Sequence, residues 1–389
     1  MTLKERLGRL GSLYLQKYPK TDRAAKLLIR QATTGIISEE KAVEILLGVE
    51  KDSPLYETAR RQSATLLYTI YRRTHGADKD FAALRFAEIS DEILTIDRRK
   101  LVTAKDAEAK EIATQVVARI RQTLDAVLGM TAPDLERADK ALEVLDSVVA
   151  QAGYDMSKLE DEITYRRFQI AVTRSRGDDI TKFLDKLHGL RGPFADRADR
   201  MMYNRALTAA KGENAKPEAI KQVVGYGLKV MEQFGKNADA LKDQAVYSLH
   251  NSVADAAARV YRLTGDKQMR EIAVSIDKPL LQMGNAPIQV LRRYAELGEL
   301  AGDKEGALDC WRTIMAGAGT TSPLWYEARY NSMRLLLASD AARAREAMVQ
   351  YKVLHPDFGP EPWGPKIAEL DVQMGSPTSI TEKKKEQSR

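Results

Sequence analysis

The chain has 389 residues, of which 44% are hydrophobic and 30% charged, and 61 basic against 55 acidic side chains give a formal net charge of +6. This balance is too apolar for a disordered chain and too charged for a membrane protein. The lone cysteine, Cys310, excludes a disulfide within the chain or a thiolate metal cluster. The length exceeds most single cores, leaving either several domains or one elongated array whose units pack only on their neighbours.

From the N-terminus, Leu3, Leu7, Leu10 and Leu13 recur at helical spacing with charges in every turn, which predicts a helix near 3–17. A secretory signal needs an unbroken apolar core that this segment lacks. The expectation is therefore a cytoplasmic protein, or a fragment of a larger, exported one. Helices near 22–33, 39–50, 54–73 and 78–98 complete a set of N-terminal hairpins over 1–105, with Ser38 and Pro54 near helix starts.

A central region, 106–235, predicts helices near 106–129, 134–152, 157–175, 178–189, 195–211 and 216–234. In the first of these, Ile112, Val116, Val117, Ile120, Leu124 and Val127 form a wide apolar stripe, so the helix either bridges two subarrays or packs along one. Arg166, Arg167, Arg174, Arg176, Arg191, Arg197, Arg200 and Arg205 are the densest basic stretch. Asp178, Asp179, Asp185, Asp196 and Asp199 interleave with them, which argues against a nucleic-acid surface.

The C-terminal region, 236–375, predicts helices near 238–263, 267–283, 287–301, 304–317, 322–338, 340–354 and 361–373. Residues 376–389 carry no periodic apolar face and read as a disordered tail. Ala42, Leu46, Val49 and Pro54 share their spacing with Ala344, Met348, Tyr351 and Pro356, the mark of a repeat. Between Pro287 and Gly359, Leu291, Tyr294, Gly302, Ala307 and Trp311 in one hairpin, and Ala328, Ala344, Met348 and Pro356 in the next, hold a small-then-large spacing where two helices cross.

These two hairpins resemble the tetratricopeptide family, although Ala295 and Ser332 stand where that family's leading helix carries glycine. The resemblance implies an all-α fold, a right-handed α-α solenoid of tetratricopeptide-like helical hairpins. It also implies a concave face for a protein or peptide partner. On that frame the groove positions fall at Tyr165, Gln169, Asn204, Asp255, Arg259, Arg292, Glu296, Tyr326 and Arg329, where they would hydrogen-bond or ion-pair with the partner.

Other chemistry is sparse. His75, His188, His250 and His355 are far apart in sequence and none has a second ligand at metal spacing; the glycine-rich stretches at 225–230 and 317–323 lack phosphate-gripping lysine; no serine sits in a nucleophile elbow. Cys310 beside Trp311 reads as buried packing, and Trp363, in FGPEPWGP, as the tryptophan left for the surface. The expected function is a non-enzymatic adaptor with no metal, no cofactor and no membrane span. The competing readings are an enzyme on an α/α scaffold, possibly carbohydrate-acting, and more weakly a nucleic-acid-binding repeat protein.

Overall fold

The computed structural model describes residues 6, 9–11, 13, 14, 17, 18, 21–33, 38–212, 214–235 and 238–375. The helix expected at 3–17 falls mostly outside the described residues, and the tail at 376–389 wholly so. Among the described residues there are helices and turns but no strand.

The chain divides into two compact units, Met1–Ala195 and Asp196–Arg389. The first holds α1 (Asp22–Thr33), α2 (Glu39–Leu47), α3 (Tyr56–Arg73), α4 (Gly76–Thr103), α5 (Asp106–Leu128), α6 (Leu135–Ala152), α7 (Glu160–Thr173) and α8 (Gly177–Leu190). Helix α9 (Pro193–Ala209) begins at the division. The second unit continues with α10 (Pro217–Glu232), a 3-10 turn at Ala238–Lys242, α11 (Gln244–Thr264), α12 (Lys267–Gln282), α13 (Ile288–Leu300), α14 (Lys304–Gly317), α15 (Pro323–Ser339), α16 (Ala341–Leu354) and α17 (Trp363–Met374).

Local chemistry sets many of these boundaries. Ser38, Asp134, Asp243, Asp266, Asp303, Ser322 and Asp340 each accept a backbone N–H from the first turn of the helix they precede. Ahead of α12 and α14, Gly265 and Gly302 turn the chain at φ 72° and 97°, a region costly for any residue with a Cβ. Two boundaries differ most from expectation. The helix expected over 238–263 is divided because the Asp243 carboxylate takes the amides of Ala245 and Val246 and starts a new helix there. Helix α4 runs five residues past 98, where Leu101 is buried and Lys100 pairs with Glu57 of α3.

In the first unit α1 to α6 pack as sequence neighbours, and α7 packs on α8; in the second, α10 to α17 do the same. Odd-numbered helices also touch the next odd-numbered helix, α3 with α5, α5 with α7, α11 with α13 and α15 with α17. Packing of this kind buries one apolar seam per hairpin rather than a single central core. The stripe of α5 from Ile112 to Val127 is buried against α4 and α6, inside the first unit. Ala42, Leu46 and Val49 are buried, as are Ala344, Met348 and Tyr351, and Ala307 and Ala344 are wholly inaccessible to solvent.

A charged face on the leading helices as candidate functional site

The odd-numbered helices lead each hairpin, and in the second unit charged residues of three of them form a continuous run of ion pairs. Arg262 on α11 reaches Glu296 on α13 at 3.0 Å. Glu296 also receives Arg292 from its own helix at 3.3 Å, and Arg292 continues to Glu327 on α15 at 2.7 Å. Two turns further along the same two helices, Arg334 grips both oxygens of Glu299 at 2.6 and 2.5 Å. Arginine suits this task because its planar fork matches a carboxylate with two parallel donors. Burial pushes the Glu327 carboxyl up, against the pull of Arg292.

Beneath this run lies a second, buried arginine. Arg293 donates to Asp277 of α12 at 2.8 and 2.6 Å and to Asn251 of α11 at 2.9 Å, and stands 3.7 Å from Asp255. Asp277 and Arg293 are 0% and 4% exposed, so three helices share one desolvated ion pair.

The expected groove residues separate into several settings. Arg292 and Glu296 are brought into one ion-paired cluster, and exposed Asp255 lies at its edge beside Arg293. Arg259, one turn before Arg262, donates to the carbonyls of Ala210 and Gly212 at 3.4 and 2.9 Å. With Gly212, Arg262 and the exposed Leu263 it lines an open depression of about 430 Å³. Asn204 on α9 is exposed.

Arg329 is half-buried; it donates to the Ala347 carbonyl at 3.1 Å and lies 5.4 Å from the Tyr351 ring centroid. That burial pushes its guanidinium pKa down. Tyr326 is buried, edge-on to Trp325 at 5.1 Å and to His355 at 5.7 Å. Tyr165 and Gln169 belong to the first unit. Tyr165 is half-buried against Phe168 and Phe194, and Gln169 accepts from Arg166, which also holds Asp125 of α5.

Arg262, Glu299, Glu327 and Arg334 were not singled out from the sequence. Their signal is an opposite charge 34 or 35 residues further on, the step from one leading helix to the next. Elsewhere, burial pushes the Cys310 thiol up to about 12, which keeps it protonated and inert as a nucleophile. Among the described residues no group of His, Cys, Asp or Glu is placed to hold a metal ion, and no helix is long and apolar enough to cross a membrane. Neither a protein-family model nor a curated protein matches this sequence.

Proposed function

We propose that this protein is a non-enzymatic scaffold, a right-handed solenoid of tetratricopeptide-like hairpins that receives a protein partner along the leading helices of its second unit. The observation that carries this reading is the run Arg262, Glu296, Arg292 and Glu327, which crosses three successive leading helices as one polar strip. Leading helices touch one another in both units while touching the intervening helices as well. A stack whose one side is more closely spaced curves toward that side, so the leading helices would line its concave surface. The carboxylates on the strip are each held by a guanidinium, an arrangement suited to positioning rather than to proton transfer.

Exposed leucines flank the strip: Leu263 and Leu300 end α11 and α13 and are 56% and 54% exposed. Apolar anchors beside fixed charges are what a docking segment uses for affinity and register, respectively. Replacing both leucines with glutamate should leave the fold intact, because neither is buried, and should remove partners captured from the native organism. Capture followed by mass spectrometry, after circular dichroism confirms equal folding, tests this; an unchanged partner set from the double variant overturns the assignment of this face.

A further inference from the structure

The last two leading helices share an aromatic pair that the ion-paired strip does not use. Trp363 begins α17 and Tyr330 lies on α15, with ring centroids 5.7 Å apart and planes inclined by 37°. Both side chains are half-buried, so each ring is fixed on one side and open on the other. The loop that leads into Trp363 is tied to α15 and α16 by close packing and a hydrogen bond. Tyr351 donates its hydroxyl to the Phe358 carbonyl at 2.9 Å, and Gly364 packs so closely on the Gly359 carbonyl that a Cβ there would collide with it.

An ammonium already occupies these rings. Lys366 Nζ stands 4.4 Å from the Trp363 centroid and 6.0 Å from that of Tyr330. Lys366 is exposed and, among the described residues, makes no hydrogen bond or ion pair to a carboxylate. It is therefore held by the ring quadrupoles and the more distant field of Glu327. Residues 357–375 also carry four acids, Asp357, Glu361, Glu369 and Asp371, against Lys366 as the one base, in a chain whose overall charge is +6. Asp371 is buried and paired with Lys352 at 2.7 Å, so the exposed charges of this segment are Asp357, Glu361 and Glu369 beside Lys366, an acidic setting for a ring pair that already holds a cation.

We infer that the Trp363–Tyr330 notch is a cation-binding site, filled in cis by Lys366, that accepts an arginine side chain from a protein partner. The inference rests on the reading above that this face takes such a partner. Arginine is the favoured occupant because its guanidinium is planar, stacks on rings and is less strongly hydrated than an ammonium, so it loses less on leaving water. Lys366 is a weakly tethered competitor: a ring–cation contact at an exposed site contributes about 0.5–1 kcal/mol.

The probe is the peptide acetyl-Gly-Ser-Arg-Ser-Gly-amide, titrated at millimolar concentration against the full chain while tryptophan fluorescence is followed. Its citrulline analogue, uncharged but of the same shape, is the control. Arginine peptide should change the emission and citrulline peptide should not. In Lys366→Met the half-saturating concentration should fall about two- to five-fold, the equivalent of that contact energy at about 1.4 kcal/mol per decade. Trp363→Leu should abolish the response. Equal binding of the citrulline peptide, no change in Lys366→Met, or no response to either peptide would each overturn the notch. Should Trp363→Leu fail to fold, the Lys366→Met and citrulline arms still decide the matter. If the notch fails while Leu263→Glu with Leu300→Glu still removes native partners, the scaffold reading stands without it.

Discussion

Arg292 and Arg293 are neighbours in sequence with opposite surroundings. A helix rotates about 100° per residue, so Arg292 faces solvent and two glutamates while Arg293 points into the seam between α11 and α12. Arg329 lies 37 residues after Arg292 and would be its equivalent one hairpin later. Its surroundings differ because the position matching Glu296 is Met333, which is buried and carries no charge. Among the described residues the Arg329 guanidinium is seen on the Ala347 carbonyl and over the Tyr351 ring instead of on a carboxylate.

Arg293 offers the sharper stability test. Arg293→Met leaves Asp277 desolvated and unpaired, and should cost about 3–5 kcal/mol, whereas Arg293→Met with Asp277→Leu removes both charges and should recover most of it. Urea melts of the three proteins measure this. A single variant within 1 kcal/mol of wild type, on that same scale, would mean that water reaches the pair.

At the scale of elements, the second helices of the last three hairpins start behind Asp266, Asp303 and Asp340, successive steps of 37 residues. The middle one does two jobs. Asp303 caps α14 through the Gly306 amide and accepts the Tyr294 hydroxyl from α13, and that hydroxyl bond is the main reason its own carboxyl pKa is held low. Between the helices it joins, Ala307 and, one turn on, Trp311 are buried with Tyr294 and Ala328 in one seam, the packing expected where two helices cross at a small residue.

A larger side chain at the crossing must push the helices apart. Ala307→Leu and Ala344→Leu should each destabilise by about 1–3 kcal/mol through overpacking. Thermal or urea denaturation checks this, with exposed Ala342→Leu as the neutral comparison. Variants at Ala307 and Ala344 that melt like the comparison would show that the helices cross elsewhere.

At the scale of the whole molecule, helices pack mainly on their sequence neighbours and ion pairs join leading helices one hairpin apart. The first unit uses the same device with different residues: Asp125 of α5 takes the Tyr68 hydroxyl of α3 at 3.0 Å and Arg166 of α7 at 3.0 Å. Because no single core spans the chain, damage should stay local. Hydrogen exchange on Ala307→Leu should rise through α13, α14 and α15 and leave α3 to α6 at wild-type rates. Uniform loss of protection across both units would mean that the array unfolds as one cooperative body.

The sequence by itself determined where most of the helices lie, the division at Asp243 excepted. The three-to-four-residue apolar period, the aspartate and serine caps and the glycine turns are local features, and each helix forms from residues adjacent in the chain. It also placed the small residues that the structure buries completely, Ala307 and Ala344. Sequence did not decide which polar residues on a leading helix are available to a partner. A helical wheel assigns Arg292, Arg329 and Tyr326 to one kind of face, yet only tertiary packing makes Arg292 an ion-paired surface group, Arg329 a half-buried one and Tyr326 part of the interior. Those fates depend on what another helix contributes, a carboxylate at Glu327 from the next hairpin or a ring at Tyr351 from the second helix of the same one, and such partners stand too far along the chain for local periodicity to pair them.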